Sequence, residues 1–485
     1  MNNSLKDILY KVQILAMSGS SDQKISNIEI DSRKIKKNNL FIALPGIRSD
    51  GHDYIENAIS NGAIAIVCNK FPDDLNKSYT YIKVKDTKKA LGIISGTFFE
   101  NPSKKIKLVG ITGTNGKTTI SSLLFQLFNK QNKKAGLIST IDIKYGKKVI
   151  KSEHTTPDIN TINYFLYKML EINIKYCFME VSSHGISQGR IDGLHFSGAV
   201  FTNLTHDHLD YHKSFKNYRN TKKLFFDRLS KSAFSLVNKD DKNSSFMLQN
   251  TSSKKLGYAI NNFADFNLKV LECQFDGMLL KINNDEVWTS LLGNFNASNL
   301  LAVYGVCITL GLSKKEILRQ ISILKNVPGR FQYFQFEKKG IVIIDYAHTP
   351  NALENVIDTI NQIRTKNENL ITIIGCGGDR DPKKRLKMGR IASEKSDRVI
   401  FTSDNPRNEN PKKIIDNMVE GVRPENTHKV LCIEEREMAI KTSKQISTHS
   451  DIVLIAGKGH ETYQEIANSK IPFDDFLIAK KYFKN

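Results

Sequence analysis

No run of about 18 apolar residues occurs anywhere in the 485-residue chain, so no segment reads as a membrane-spanning helix. The six cysteines (Cys68, Cys177, Cys273, Cys307, Cys376 and Cys432) form no CxxC pair and are scattered through apolar segments. That spacing argues against a disulfide framework and against a structural zinc site, and for buried thiols in a reducing compartment. The opening stretch MNNSLKDILYKVQILAM is interrupted by Lys6, Asp7 and Lys11 before any apolar core reaches secretory length, so a cytoplasmic location is expected. There is no internal repeat, no low-complexity tract and no block of five or six like charges.

What the chain does have is an excess of cations, 71 Lys and Arg against 50 Asp and Glu, for a formal charge of +21. Such an excess invites nucleic-acid binding, because basic patches attract phosphate. Without blocks of like charge or aromatic-interleaved basic stretches, the plainer reading is lysine spread over a solvated surface. Hydrophobic residues at 40% and charged residues at 25% are ordinary for a folded chain.

Three textures follow one another. In the first hundred residues, FIAL at 41–44, AIAIVC at 63–68 and YIKV at 81–84 suggest a small α/β unit. From about residue 105, KLVGIT at 107–112, AGLIST at 135–140, YCFMEV at 176–181, GAVFTN at 198–203 and FSLVN at 234–238 alternate with longer helical patterns. This predicts a parallel sheet covered by helices. Residues 255–290 read as short strands of a small appended antiparallel sheet. After Pro328-Gly329, five buried-strand patterns (341–345, 370–375, 398–404, 429–434 and 451–457) predict a Rossmann-like domain behind a hinge near 326–330. The expected architecture is three α/β domains, over 1–100, 101–328 and 329–485.

The sharpest local signal is KLVGITGTNGKTTISSLLFQLF at 107–128, a strand, a Gly-rich turn and an amphipathic helix. A turn of this kind aims backbone N–H groups and a helix N-terminus at a phosphate chain. Lys117 is expected on the β/γ phosphates and the Thr118 hydroxyl on Mg²⁺. The strict phosphate-loop pattern asks for Gly at 111, where Ile stands, so this is a variant of the loop. GCGGDR at 375–380 also follows a strand, but Arg380 stands where a dinucleotide fingerprint needs a small residue. Glu180 closes a buried strand at the carboxyl end, where ligands gather, and is placed to hold Mg²⁺ beside Thr118. TNLTHDHLDYH at 202–212 then supplies His206, Asp207, His208, Asp210 and His212. HxH spacing also occurs at zinc sites, but without cysteine partners and beside a phosphate loop magnesium is expected.

GTNGKTT at 113–119, HTTP at 154–157, EVSSHG at 180–185, TNLTHDHLDYH at 202–212, NFNASN at 294–299, PGRF at 328–331, DYAHTP at 345–350 and GCGGDRD at 375–381 occur in that order. Together they resemble the Mur ligases, ATP-dependent amino-acid ligases of bacterial cell-wall (peptidoglycan) synthesis, and the resemblance spans essentially the whole chain. DNPR at 404–407 and AGKGHE at 456–461 are similar to the subgroup that adds the third residue of the stem peptide. The resemblance implies an N-terminal domain for the uridine nucleotide, a central phosphate-loop, parallel-sheet ATPase domain and a C-terminal Rossmann-like domain that brings the amino acid.

It further implies site residues. Gly113, Thr114, Asn115, Gly116, Lys117, Thr118 and Thr119, with Asn296, Asn299, Arg330 and Asp345, resemble the ATP contacts. Ser32 and the loop Ile47, Arg48 and Ser49 resemble the uridine-nucleotide site, and Thr155, Thr156, Ser182, Gln188 and Arg190 the contacts to the muramoyl peptide. Lys222 aligns with a lysine that carries a CO₂-derived carbamate and helps bind a second Mg²⁺, so Lys117, Glu180, His208 and Lys222 form the implied catalytic set, with Thr118, Glu180, His208 and carbamylated Lys222 holding the metals. Lys213, Phe215, Lys216 and Thr221 depart from the family's usual residues around that lysine, Lys223 adjoins it, and KKRLKMG at 383–389 departs after Arg385.

For the incoming amino acid the resemblance points to Arg380, Asp404, Asn405, Pro406, Arg407, Gly457 and Glu461, and implies that Glu461 pairs with its distal ammonium. Arg407 discriminates, because a guanidinium pairs with the second carboxylate of meso-diaminopimelate, which L-lysine lacks. The expected partners are ATP, UDP-N-acetylmuramoyl-L-alanyl-D-glutamate and meso-diaminopimelate, without nucleic acid, at a monomeric enzyme. The alternatives are the same reaction with L-lysine, and a folylpolyglutamate synthase-like ligase, which the hundred residues before the phosphate loop disfavour.

Overall fold

The computed structural model describes residues 3–46, 49–337, 339–365, 367–467 and 469–484. Three sheets dominate it, each with a parallel centre. The first has the order Ile14–Ser18, Thr80–Val84, Ala63–Cys68, Asn39–Ile42, Asn27–Glu29, with only the first pair antiparallel. AIAIVC forms one of its central strands, buried on both faces as its continuous apolar run requires.

The second sheet has eleven strands. Its parallel centre runs Ala135–Ile138, Tyr176–Glu180, Lys107–Thr112, Gly198–Phe201, Phe234–Asn238, Lys254–Ala259. Residues 255–290 do not build a separate sheet. Lys254–Ala259 continues the parallel ladder into Phe266–Gln274, and Gly277–Ile282 and Asp285–Thr289 extend the same sheet antiparallel. At the other end a hairpin, Asp142–Tyr145 with Lys148–Lys151, adds two strands that the sequence pattern did not announce.

The third sheet has six strands rather than five, in the order Gln332–Phe336, Gly340–Asp345, Ile452–Ala456, Leu370–Ile374, Arg398–Phe401, Val430–Cys432. The added strand, Gln332–Phe336, is an antiparallel edge, and its polar face hid it from a search for apolar runs. Among the described residues, no helix is long and apolar enough to cross a membrane.

Strand order decides where function can sit. In the second sheet Lys107–Thr112 lies between Tyr176–Glu180 and Gly198–Phe201. The loops leaving their carboxyl ends therefore bring residues 113–116, Glu180 and 202–208 together. In the third sheet Ile452–Ala456 lies between Gly340–Asp345 and Leu370–Ile374, with Arg398–Phe401 next. Asp345 and the segments 375–380, 403–407 and 457–461 consequently share one rim.

Candidate active site

The phosphate loop is built by its glycines. Gly113 (φ +150°) and Gly116 (φ +87°) turn the chain from strand into the helix Lys117–Lys130. The helix is anchored by Ile120, Leu123, Leu124 and Leu127 at i, i+3, i+4 and i+7, all fully buried. A Cβ on Gly116 would stand 2.6 Å from Asn299 Oδ1. Asn203 pins the loop: its carbonyl accepts from the Thr114 N–H and its Oδ1 from the Asn115 N–H, both at 2.9 Å. The Lys117 amine folds back to donate to the Gly113 and Thr114 carbonyls at 2.9 and 2.8 Å, and burial pulls it below the ordinary lysine value.

Lys222 reaches the same loop from the helix Phe215–Asp227, donating to the Gly113 carbonyl at 3.0 Å and lying 3.4 Å from Thr112 Oγ1. Burial, then the neighbouring Lys117 charge, push it well below the ordinary lysine value. Lys223 points elsewhere and pairs with Asp227 at 2.5 Å.

Glu180 is fully buried and, among the described residues, accepts only from neutral donors: the Thr118 hydroxyl at 3.0 Å, the Thr140 N–H at 2.8 Å and the Thr140 hydroxyl at 2.9 Å. A buried carboxylate held this way, beside a second hydroxyl oxygen, fits a hard cation such as Mg²⁺. His208 lies 3.3 Å from Asp207 and its ring is 4.9 Å from that of His184. Among the described residues, no three His, Cys, Asp or Glu side chains gather as a ready-made metal set. His208 and Lys222 therefore fit a second cation only once the lysine has become an anion.

Two cavities open here. One, of about 540 Å³, is lined by Asn115, Gly116, Thr119, Asn299, Arg330 and Asp345, with Tyr258, Ile260 and Phe295 as its apolar wall. Asn296 stands behind it, bonded to the Leu292 carbonyl and to Asn299. Arg330 crosses from the hinge to donate to Thr118 Oγ1 at 3.2 Å and stacks over Tyr346. Asp345 accepts from the Phe331 N–H at 2.6 Å, and burial pushes its carboxyl up to about 6.

The other cavity, of about 750 Å³, spans both sheets' rims. Thr155, His184, His206, Asp207 and His208 line one side; Arg380, Asp404, Asn405, Arg407, Gly457 and Glu461 line the other. His206 and Asp381 approach to 4.0 Å across it. Pro406 is buried beside this wall without lining it. Arg407, with φ +51°, is already engaged: Nε donates to Glu465 at 2.9 Å and Nη1 to the Gly378 carbonyl at 2.7 Å.

The remaining expected contacts are more local. Thr156 donates to the Glu180 carbonyl and sits 3.1 Å from Ser182 Oγ, and Ser182 caps the helix Ser183–Ser187. Arg190 donates to the Thr156 carbonyl, and Gln188 lies 3.4 Å from the Tyr211 hydroxyl. Ser32 is buried in the first unit and Ser49 is exposed there. Ile47 and Arg48 lie outside the described residues.

Several residues here were not singled out from the sequence. Thr140 and Asn203 satisfy Glu180 and the loop. Lys383, Lys384 and Lys387, from the segment noted only as a departure, and Arg390 just beyond it line the larger cavity from the helix Lys383–Lys395. Residue spacing at 383, 387 and 390 could have revealed that cationic face.

Comparison with known proteins places the chain in a family. Three family models match in order: the Mur ligase family catalytic domain over residues 24–99, the Mur ligase middle domain over 111–307, and the Mur ligase glutamate ligase domain over 329–459. The chain is 47% identical over 478 residues to the UDP-N-acetylmuramoyl-L-alanyl-D-glutamate–2,6-diaminopimelate ligase of Cytophaga hutchinsonii, covering 98% of each. It is likewise 47% identical to the ligase of the same name from Phocaeicola vulgatus, covering 99% of each. A solved structure of a ligase of that name superposes with a TM-score of 0.71 at 30% identity, covering 100% of this chain and 99% of the other. Phosphate loop, buried carboxylate and bridging cavity thus stand in a chain matched along nearly its whole length, and the chain belongs to the Mur ligase family.

Proposed function

We propose that this chain joins meso-diaminopimelate to the D-glutamate of UDP-N-acetylmuramoyl-L-alanyl-D-glutamate at the expense of ATP, as a cytoplasmic monomer in peptidoglycan precursor synthesis. The observation that carries the reading is the larger cavity, in which an imidazole-rich wall beside the phosphate loop faces an Asp404–Arg407–Glu461 wall. We take 1–100 as the uridine-nucleotide domain, 101–328 as the ATPase domain and 329–485 as the amino-acid domain.

A free carboxylate does not yield an amide in water, because its leaving group would be oxide. The γ-phosphoryl group of ATP passes to the D-glutamate carboxylate, giving an acyl phosphate and ADP. The amine, once deprotonated, attacks the carbonyl carbon, and inorganic phosphate leaves with the carbon–oxygen bond pair. Both phosphoryl donor and acceptor are anions, so the protein's work is charge neutralisation and positioning. Lys117 leaves its loop carbonyls for the phosphates, and Arg330, already at Thr118, lies on the same side. Mg²⁺, held by Thr118 and Glu180 and, in a second site, by Glu180, His208 and carbamylated Lys222, would neutralise phosphate charge. CO₂ adds to the unprotonated amine, and burial and the Lys117 charge both disfavour the ammonium form of Lys222, which supports carbamylation there. Thr155, Thr156, Ser182, Gln188 and Arg190 hold the muramoyl peptide, and Ser32 and Ser49 the nucleotide.

Diaminopimelate is preferred to L-lysine because Arg407 keeps Nη2 without a protein acceptor among the described residues, available to a distal carboxylate. The test is phosphate release from ATP and UDP-N-acetylmuramoyl-L-alanyl-D-glutamate with each amino acid. Release with diaminopimelate and little with L-lysine is expected. Release with neither, or a preference for L-lysine, overturns the reading.

A further inference from the structure

We propose that Lys458 is a positioning residue that sets the enzyme's selectivity for an amino acid with a distal ammonium group. The inference rests on reading the larger cavity as the amino-acid site and adds to that reading the group that aims its carboxylates.

Lys458 does not touch the cavity. Its side chain is 0% exposed, and its ammonium lies behind the wall with three acceptors: Asn405 Oδ1 at 2.9 Å, Glu461 Oε2 at 3.0 Å and Asp404 Oδ1 at 3.4 Å. An ammonium has three hydrogens, so none remains for a substrate. Glu461 Oε1 and Asp404 Oδ2, by contrast, have no hydrogen-bond partner among the described residues, and both side chains line the cavity. Each carboxylate thus spends one oxygen on Lys458 and presents the other.

The backbone makes the arrangement rigid. Gly457 (φ +111°) and Gly459 (φ +54°) flank Lys458 in a tight turn closed by the Glu461 N–H donating to the Lys458 carbonyl at 3.0 Å. Asn405 ties the turn to the opposite loop, donating to Glu461 Oε2 at 2.8 Å and accepting from the Glu465 N–H at 2.9 Å. Behind it lies the fully buried pair Arg436–Asp475. Lys458 is thus shared between Asp404 and Glu461, Arg436 is taken by Asp475 and Arg407 by Glu465, and two carboxylate oxygens stay open at the wall. An ammonium supplies the hydrogens that these two acceptor oxygens lack. Burial and Asp404 raise the Glu461 carboxyl, and Lys458 opposes that rise. Without Lys458, the Asp404 and Glu461 carboxylates lose the cation that holds one oxygen of each, so their other oxygens are no longer aimed together at the cavity.

The readout is the ratio of kcat/KM for meso-diaminopimelate to that for 2-aminopimelate, which keeps the distal carboxylate and lacks the distal ammonium. An inactive wild-type enzyme would count against the ligase reading and not against this one. With active wild type, Lys458→Met is expected to lower the ratio by about tenfold or more, the loss falling on the diaminopimelate KM. Equal losses on both amino acids would mark a merely structural lysine and overturn the proposal. Should the single variant not fold, Glu461→Gln decides against Glu461→Gln with Lys458→Met. Lys458 acts largely through Glu461, so the double variant is expected within about threefold of the single one; a further tenfold loss of diaminopimelate kcat/KM would overturn it.

Discussion

Replacing Asp475 by Ala would strand a guanidinium in the interior of the third sheet's packing. Arg436 donates through Nε and Nη2 to the two Asp475 oxygens at 2.8 Å each, and both side chains are 0% exposed. The Ala456 carbonyl, 3.0 Å from Nη2, and the Ser403 carbonyl, 3.5 Å from Nη1, would remain as its only partners among the described residues. Removing one member of a buried, bidentate pair costs about 3–5 kcal/mol, because the other charge stays desolvated. For a unit of this size a melting temperature moves by roughly 2–4 °C per kcal/mol, which gives a fall of roughly 6–20 °C. Scanning calorimetry reads it directly. Replacing both partners, Arg436→Met with Asp475→Leu, removes both desolvation costs and should recover most of that loss. Those two carbonyls precede Gly457 and Asp404, so diaminopimelate KM should rise in the single variant while ATP KM holds. A shift under about 2 °C, or a double variant as damaged as the single one, would refute the reasoning.

Three further outcomes follow from the site. Asp345, pushed up to about 6 by burial, binds its proton more tightly folded than unfolded, so the stability tied to that proton is present at low pH and lost as pH rises through about 6. Asp345→Asn should therefore melt like wild type near about pH 4 and gain up to about 3 kcal/mol near about pH 7.5, measured by denaturation at both; a gain independent of pH contradicts this. Gly116→Ala places a Cβ 2.6 Å from Asn299 Oδ1 on a φ of +87°, so ATP KM should rise by about tenfold or more, and an unchanged value contradicts the loop's role. Lys222, whose amine burial and the Lys117 charge push well below the ordinary lysine value, should give a carbamate carbonyl ¹³C resonance in labelled bicarbonate that Lys222→Ala lacks; identical spectra would exclude the modification.

Local patterns announced much of this. A buried strand, two glycines and an amphipathic helix at 107–128 are covalently contiguous, so their spacing alone located the phosphate loop. The central strands were legible because burial on both faces writes continuous apolar runs. Gln332–Phe336 and Lys148–Lys151 escaped because edge strands are half-solvated and carry no such run, and Asp142–Tyr145 because its four residues, DIKY, include two charged ones. The bonds from Thr140 to Glu180 and from Asn203 to the loop span 40 and 88 residues, and only the strand order brings them together. Lys458 was visible within AGKGHE but carried no sign that it lies behind the wall while Glu461 lines it. The +21 charge is a similar case: seven cations, Arg330, Arg380, Lys383, Lys384, Lys387, Arg390 and Arg407, line the two cavities, and composition alone marked none of them.

The central claim is that the phosphate loop activates the D-glutamate carboxylate for the amine held on the opposite wall. It is tested most directly by following ¹⁸O from that carboxylate during turnover with ATP and meso-diaminopimelate. Mass spectrometry should find ADP, a tripeptide product and inorganic phosphate carrying one ¹⁸O from the carboxylate. Unlabelled phosphate accompanying the same product would contradict the account.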